Sequence, residues 1–301
     1  MDFDKVPDNI TDLEAILSDG EGKLIPLIAA EEEARLGVQD HFSIGFDIFD
    51  SVMHGGITAG DLVLVSGRTG QGKTTWAQTI NYKLSQDGIP TLWFSYEIPI
   101  RELWSKFKAM GLEADNFLGY AITPNQSGKL AWIKKKITEM VLKERVQVVF
   151  IDHLGFLTPE ITEANSREFD QNYSSYLGQL TRQLKTLAME QNIIIVLLAH
   201  TRKTKESLEV EDIAHSVGIP QEADFVFMVE RLKEKSNKSK FALKNDEPEG
   251  DVYTPFSRIS LQKNRRTGIT KFIKAELRQG RLQEYKPYDG PEPAPSTYIS
   301  W

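Results

Sequence analysis

The 301-residue sequence contains no cysteine. Disulfide staples, thiolate nucleophiles and cysteine-ligated metal sites are excluded, and with them a cysteine-type zinc domain. No run of 18 uninterrupted apolar residues occurs, so no membrane-spanning helix is expected. The first 24 residues, MDFDKVPDNITDLEAILSDGEGKL, lack an apolar core of signal-peptide length, and the expected location is the cytoplasm. Positive charge is in deficit: 36 lysines and arginines face 43 aspartates and glutamates, a formal net charge of -7. Such a chain does not coat nucleic acid over its whole surface, and any basic contact must be confined to a channel or loop. There is no internal repeat.

What the chain does have is an alternation of short apolar runs with amphipathic ones. DLVLVSG, IPTLWFSYE, VQVVFIDH and IIIVLLAH read as strands, with helices over TTWAQTINYKLSQDG, IRELWSKFKAMG, NQSGKLAWIKKKITEMVLKE and SSYLGQLTRQLKTLAMEQN between them. Strands that are apolar on both faces belong to a parallel sheet buried between helices, which predicts an α/β layered fold. ADFVFMVER, FSRISLQKN and KFIKAELRQGRLQEY follow as late strands, the last a hairpin around Gly280, and suggest an antiparallel extension at one edge. Loops are expected at 158–172, 201–221 and 233–251. Residues 1–40 form an amino-terminal extension with a short helix over 25–37, either packed on its own domain or docked on a neighbouring subunit. Residues 41–285 form the core. The proline-rich tail 286–301 is either solvated or a docking peptide anchored by Tyr298, Ile299 and Trp301.

Between the first strand and the first long helix lies GRTGQGKTT, which fits G-x-x-x-x-G-K-[ST] in the strand–loop–helix context that gives this spacing its meaning. The glycines allow successive backbone N–H groups to turn inward around a phosphate. The helix that follows begins at the anion and adds its unpaired N–H groups. Gly67, Arg68, Thr69, Gly70, Gln71, Gly72, Lys73, Thr74 and Thr75 are therefore the candidate nucleotide cradle. Lys73 is expected to bridge the β- and γ-phosphates of ATP, and the Thr74 hydroxyl to ligate a magnesium ion (Mg2+).

The remaining chemistry is expected at the carboxyl ends of neighbouring strands. Asp152 ends VVFID, where an aspartate can hold the magnesium ion. Glu97 ends TLWFSYE and reads equally as a surface acid or as the general base for an attacking water. His200 ends IIIVLLAH, either as a satisfied structural histidine or as a γ-phosphate sensor. Lys263, Arg265 and Arg266, in QKNRRTG, form either a solvated basic turn or an arginine finger that reaches a γ-phosphate across a subunit boundary. Arginine suits the latter, because its planar fork meets phosphate oxygens two at a time.

The order GRTGQGKTT, FSYE, VVFIDHLGFL, VLLAHTRK, IPQEADFVFMVER and LQKNRRTG resembles the RecA-type motor domain of the DnaB-like hexameric replicative helicases, over residues 42–285. The resemblance implies a RecA-like P-loop NTPase fold and an ATP-driven helicase, running 5′ to 3′ on single-stranded DNA as a homo-oligomer, a hexamer in that family. It implies Glu97 as catalytic base, Asp152 as second magnesium anchor, and His200 as the coupler of γ-phosphate to DNA loops. Lys263 and Arg265 match a Lys-x-Arg pair that reaches the neighbour's nucleotide. The segments 158–172 and 201–221 match channel loops, which makes Arg202, Lys203 and Lys205 candidate DNA contacts. A primase or a loader protein is the implied partner. Residues 1–40 are too few for the amino-terminal helical domain or primase that family members carry, and Arg266 stands where the family often has asparagine. A RecA- or RadA-like DNA-dependent ATPase without unwinding activity is the alternative, and a nucleotide-binding scaffold without turnover is a third.

Overall fold

The central strands of this chain are mostly apolar because they are covered on both sides. The computed structural model describes residues 41–114, 117–122, 130–157, 166–201, 218–233 and 253–286, with the backbone alone for 166–174 and 218. Two units divide the chain, Met1–Asp40 and His41–Trp301. The expected helix at 25–37, the tail from 287, most of the expected loops and the candidates Arg202, Lys203 and Lys205 lie outside the described residues.

Among the described residues, nine strands make one sheet. They are β1 (Leu62–Gly67), β2 (Thr91–Ser95), β3 (Gly119–Ile122), β4 (Val148–Asp152), β5 (Ile194–His200), β6 (Phe225–Lys233), β7 (Tyr253–Asn264), β8 (Lys271–Arg278) and β9 (Arg281–Glu284). Their order is β3-β2-β4-β5-β1-β6-β7-β8-β9. From β3 to β6 every pairing is parallel, and from β6 to β9 every pairing is antiparallel. This is the mostly parallel sheet with an antiparallel edge that the sequence indicates. The helices are α1 (Asp47–Val52), α2 (Lys73–Gln86), α3 (Ile100–Ala109), α4 (Leu130–Glu144), α5 (Ser166–Glu190) and α6 (Gly218–Glu222). No helix among the described residues is long and apolar enough to cross a membrane.

Alternate residues of β1 feed opposite cores. Val63 and Val65 join the cluster that holds Trp76, Ile80 and Leu84 of α2 with Leu103 and Phe107 of α3. Leu62 and Leu64 join the cluster that holds Ile133 and Ile137 of α4 with Leu180 and Leu184 of α5. Both faces are thus dry, as a parallel sheet requires.

Several boundaries differ from the sequence reading. β3 went unread, because an edge strand that is half-buried at all four positions carries no continuous apolar run. α5 begins at Ser166, inside the expected loop 158–172; its first residues, SREFDQNY, are mostly polar and show no stripe. The single turn of α6 falls in the expected loop 201–221. β2 stops at Ser95, so Glu97 lies two residues past the strand rather than at its end.

The strand register sets two edges apart. Gly67 pairs with His200 and Ser95 with Asp152, which aligns the carboxyl ends of β1, β5, β2 and β4. At the opposite edge, the amino ends of β1 and β6 meet the end of β7, where Phe225 pairs with Asn264. Two buried carboxylates fasten that edge. Asp224 accepts hydrogen bonds from the Leu62 N–H at 2.8 Å and the Lys185 ammonium at 2.6 Å. Asp61, whose carboxyl burial pushes up and whose Thr58 N–H and Arg266 partners pull back down, accepts from the Arg266 guanidinium at 2.6 Å. Arg266 also donates to the carbonyls of Met53 and Gly56 and to Thr58 Oγ1, and lies 5.0 Å over the Phe225 ring. It is a structural clamp, which accounts for a third basic residue in the turn.

Removing Arg266 would leave the buried Asp61 without its counter-ion, with only Thr58 to donate to it. Arg266→Ala is expected to cost about 3 kcal/mol of unfolding free energy, against less than about 0.5 kcal/mol for Arg278→Ala on an exposed pair. Denaturant titration of both variants checks this, and equal losses would contradict it.

Candidate active site

The loop between β1 and α2 is shaped by backbone that only glycine adopts easily. Gly67 has φ 156° and packs so close to β6 that a Cβ would lie 2.4 Å from the Val229 carbonyl oxygen. Gly72, at φ 96°, caps α2 with no side chain, so the first N–H groups of the helix stay available to an anion. Gln71 ties the loop to β6 and β7: its carbonyl oxygen accepts from the Arg231 N–H at 2.8 Å and its amide donates to the Tyr253 hydroxyl at 3.3 Å. Thr75 and Arg68 contribute carbonyls, the first accepting from Thr79 Oγ1 at 2.8 Å and the second from Lys73 Nζ at 3.0 Å.

Lys73 is buried, and desolvation brings its ammonium down to about 8 against the partial support of Glu97 and Asp152. Its second partner is His200 Nδ1 at 2.9 Å. Thr69 Oγ1 lies at the limit of hydrogen-bond range from the same nitrogen, at 3.5 Å. Thr74 Oγ1 donates to Asp152 Oδ2 at 2.8 Å. Asp152 is 1% exposed, and its Oδ1 is buried without a hydrogen-bond partner. Burial raises its carboxyl to about 6; the Thr74 bond opposes this and nearby Glu97 reinforces it. The Thr74 hydroxyl and the Asp152 carboxylate, one of whose oxygens is orphaned, form a hard, oxygen-only donor set, which fits magnesium.

Glu97 lies beyond β2 with its side chain 36% exposed, and its Oε1 is 3.8 Å from His200 Nε2. Burial and Lys73 lower the His200 imidazole, while Glu97 raises it. Sequence reasoning overlooked a second histidine in this space. The His153 ring stands edge-on to His200, with centroids 4.1 Å apart at 74°, and burial, His200 and Lys73 lower its imidazole to about 3. Glu97, His153 and His200 each bring one ligand-type atom within 4.8 Å of the others. The only sequence signal was the dipeptide Asp152-His153 at a strand end.

Lys73, Thr74, Glu97, Asp152 and His200 therefore converge, but Lys263 and Arg265 do not join them. They sit at the opposite edge, where Val226 pairs with Lys263 and the Arg265 N–H donates to the Asp224 carbonyl at 2.8 Å. Lys263 Nζ donates to the carbonyls of Pro220 and Gln221 at 2.8 and 2.9 Å. Arg265 donates to the Gln221 carbonyl at 2.6 Å and to Asp224 Oδ1 at 3.2 Å. Arg265, held beside Asp224 at the start of β1, lies about 16 Å along that strand from its own cradle at a rise near 3.3 Å per residue, beyond the reach of its side chain, and Lys263, level with Leu64, holds its ammonium on the Pro220 and Gln221 carbonyls.

Comparison with known proteins adds an independent line. The family described as DnaB-like helicase C terminal domain matches residues 118–283, from β3 to β9. The replicative DNA helicase DnaB of Mycoplasma pneumoniae is 24% identical over 311 residues, covering 89% of this chain and 61% of its own length. The DNA repair protein RadA of Streptococcus pneumoniae is 28% identical over 155 residues, covering 52% of this chain and 33% of its own. Among solved structures, a DnaB-like replicative helicase described with its interactions with primase superposes with a TM-score of 0.66 at 17% identity, over 92% of this chain and 71% of that one. The chain thus spans about three-fifths or less of the curated relatives named here.

The raised Asp152 carboxyl fixes the sign of a pH effect. A carboxyl held at about 6 in the fold, against 3.8 ordinarily, costs no stability below about pH 4; the cost grows as pH rises toward 6 and is full above it. Asp152→Asn is therefore expected to stabilise the nucleotide-free protein by about 3 kcal/mol at most near pH 8, and not near pH 4. Thermal unfolding at the two pH values measures it, and a loss of stability near pH 8 would contradict it.

Proposed function

The chain belongs to the DnaB-like helicase C-terminal domain family, and from that premise we propose that it is the motor of a replicative DNA helicase. It hydrolyses ATP, assembles as a ring of copies, six as in the family it resembles, and moves 5′ to 3′ on single-stranded DNA while separating duplex. The observation that carries this reading is the separation of the two half-sites. A cradle at one edge and a basic pair at the other, too far apart to meet within one copy, suit a nucleotide held between neighbours.

In this reading Lys73 leaves the Arg68 carbonyl and His200 for the β- and γ-phosphates, and the uncapped start of α2 faces the same anion. Magnesium, held through Thr74 and Asp152, would neutralise charge on the β- and γ-phosphate oxygens. Glu97 accepts a proton from water as the water oxygen bonds to the γ-phosphorus, and the bond to the bridging oxygen of ADP breaks. His200 faces the departing phosphate. Lys263 and Arg265 of the adjacent copy exchange their hold on the Gln221 carbonyl and Asp224 for phosphate oxygens. Arg202, Lys203 and Lys205 follow β5 directly and contact single-strand phosphates. A primase or a loader is the partner class, as the described interactions of the solved DnaB-like helicase with primase suggest.

The RadA similarity favours a second reading, an ATPase that works on DNA without unwinding it. A forked-duplex displacement assay separates the two. The helicase reading expects ATP-dependent strand separation in wild type. It expects Arg265→Ala to keep nucleotide affinity within about threefold while hydrolysis falls about a thousandfold. Unchanged turnover in Arg265→Ala would overturn the shared site, and DNA-stimulated hydrolysis without strand separation would favour the second reading.

A further inference from the structure

Glu97, His153 and His200 have the spacing of a metal site, but the partners on the other ring nitrogens decide otherwise. A metal-ligating histidine turns a lone pair to the ion and donates its second N–H to an acceptor. Neither ring is arranged that way. His200 Nδ1 faces the Lys73 ammonium at 2.9 Å, a group with donors only. His153 Nδ1 faces the backbone N–H of Gly155 at 2.9 Å, again a donor only. Each Nδ1 must accept, so each ring is neutral and carries its one proton on Nε2. The two rings offer N–H groups rather than lone pairs, which suits an anionic oxygen.

The two donors differ in how they are held. His200 owes its tautomer to Lys73, which a triphosphate would draw away. His153 owes its tautomer to the backbone, which a ligand does not displace. The ring is also wedged in place. A Cβ on Gly155 would come within 2.6 Å of His153 Cε1, so glycine leaves the room that the ring occupies. The Phe156 ring packs at 4.8 Å between centroids and His200 stands across the other contact. A donor fixed before the substrate arrives is what stabilises developing charge without reorganisation.

We propose that His153 is a further catalytic residue of this site, a neutral imidazole whose fixed Nε2–H donates to an oxygen of the terminal phosphate of a nucleoside triphosphate, beside His200. The proposal rests on the ATP-hydrolase reading above. His153 neither gains nor loses a proton: the water proton goes to Glu97, and the imidazole only binds the phosphoryl oxygen more strongly as charge builds on it.

Two variants in the full chain test it. H153Q restores an N–H near the position of Nε2, whereas H153N reaches only the place of Nδ1 and keeps an acceptor for Gly155. Calorimetric titration with ADP and with a non-hydrolysable ATP analogue is paired with turnover. For H153N the expected result is ADP affinity within about twofold of wild type, analogue affinity down about tenfold and turnover down about a hundredfold. H153Q should recover most of both losses. The proposal is overturned if H153N keeps the wild-type ratio of analogue to ADP affinity. It is equally overturned if both variants lose affinity for ADP and analogue together, with a lowered thermal midpoint, since that marks a packing role. Wild-type turnover in the same assays separates the two readings: its absence sinks the hydrolase reading, while the affinity ratio of H153N still judges the histidine.

Discussion

A parallel sheet has a direction, and that direction organises this molecule. Because β1, β2, β4 and β5 all run the same way, their carboxyl ends reach one edge together and carry the glycine loop, Asp152 and His200, with Glu97 just beyond. The antiparallel turn into β7 sends the chain back, so Lys263 and Arg265 emerge at the opposite edge. One copy therefore holds the glycine loop and the basic pair apart, and in the proposed function the pair serves a neighbour's phosphate.

Electrostatics reinforce the division. At the cradle edge, Lys73, Glu97 and Asp152 are crowded in a cleft where burial pulls the ammonium down and pushes the Asp152 carboxyl up. In the proposed function a magnesium–triphosphate complex would relieve the charge tension of this cluster, the metal through the carboxylate and the phosphates through the lysine. At the other edge Lys263 and Arg265 are not loose. They are parked on the carboxyl end of α6 and on Asp224, and α6 follows directly on the segment that begins at Arg202. In the proposed function, a phosphate that recruits the pair competes with its hold on α6 and Asp224.

Much of this was legible in the sequence because the signals are local. The spacing from Gly67 to Thr74, the dry strands and the terminal Asp152 each lie within a few consecutive residues, and the hairpin at Gly280 has Gln279 and Gly280 at φ 50° and 74°, as a tight two-residue turn needs. What escaped depends on distant partners. β3 is an edge strand with one neighbour, and the start of α5 is polar, so neither shows a periodic stripe. Arg266 reads as a third finger residue until its contacts with residues 53–61 appear. His153 carries no signal of its own beside Asp152, because its partner His200 comes from a strand that starts 41 residues further on.

The central claim, a nucleotide site completed between two copies, is tested most directly by mixing two inactive proteins. Lys73→Ala removes the cradle charge and Arg265→Ala the donated one, so neither hydrolyses ATP alone. In a head-to-tail ring assembled at random from equal amounts, an intact cradle meets an intact arginine at roughly a quarter of the interfaces. The account predicts hydrolysis recovering toward that fraction of wild type, and mixtures that stay inactive at every ratio would contradict it.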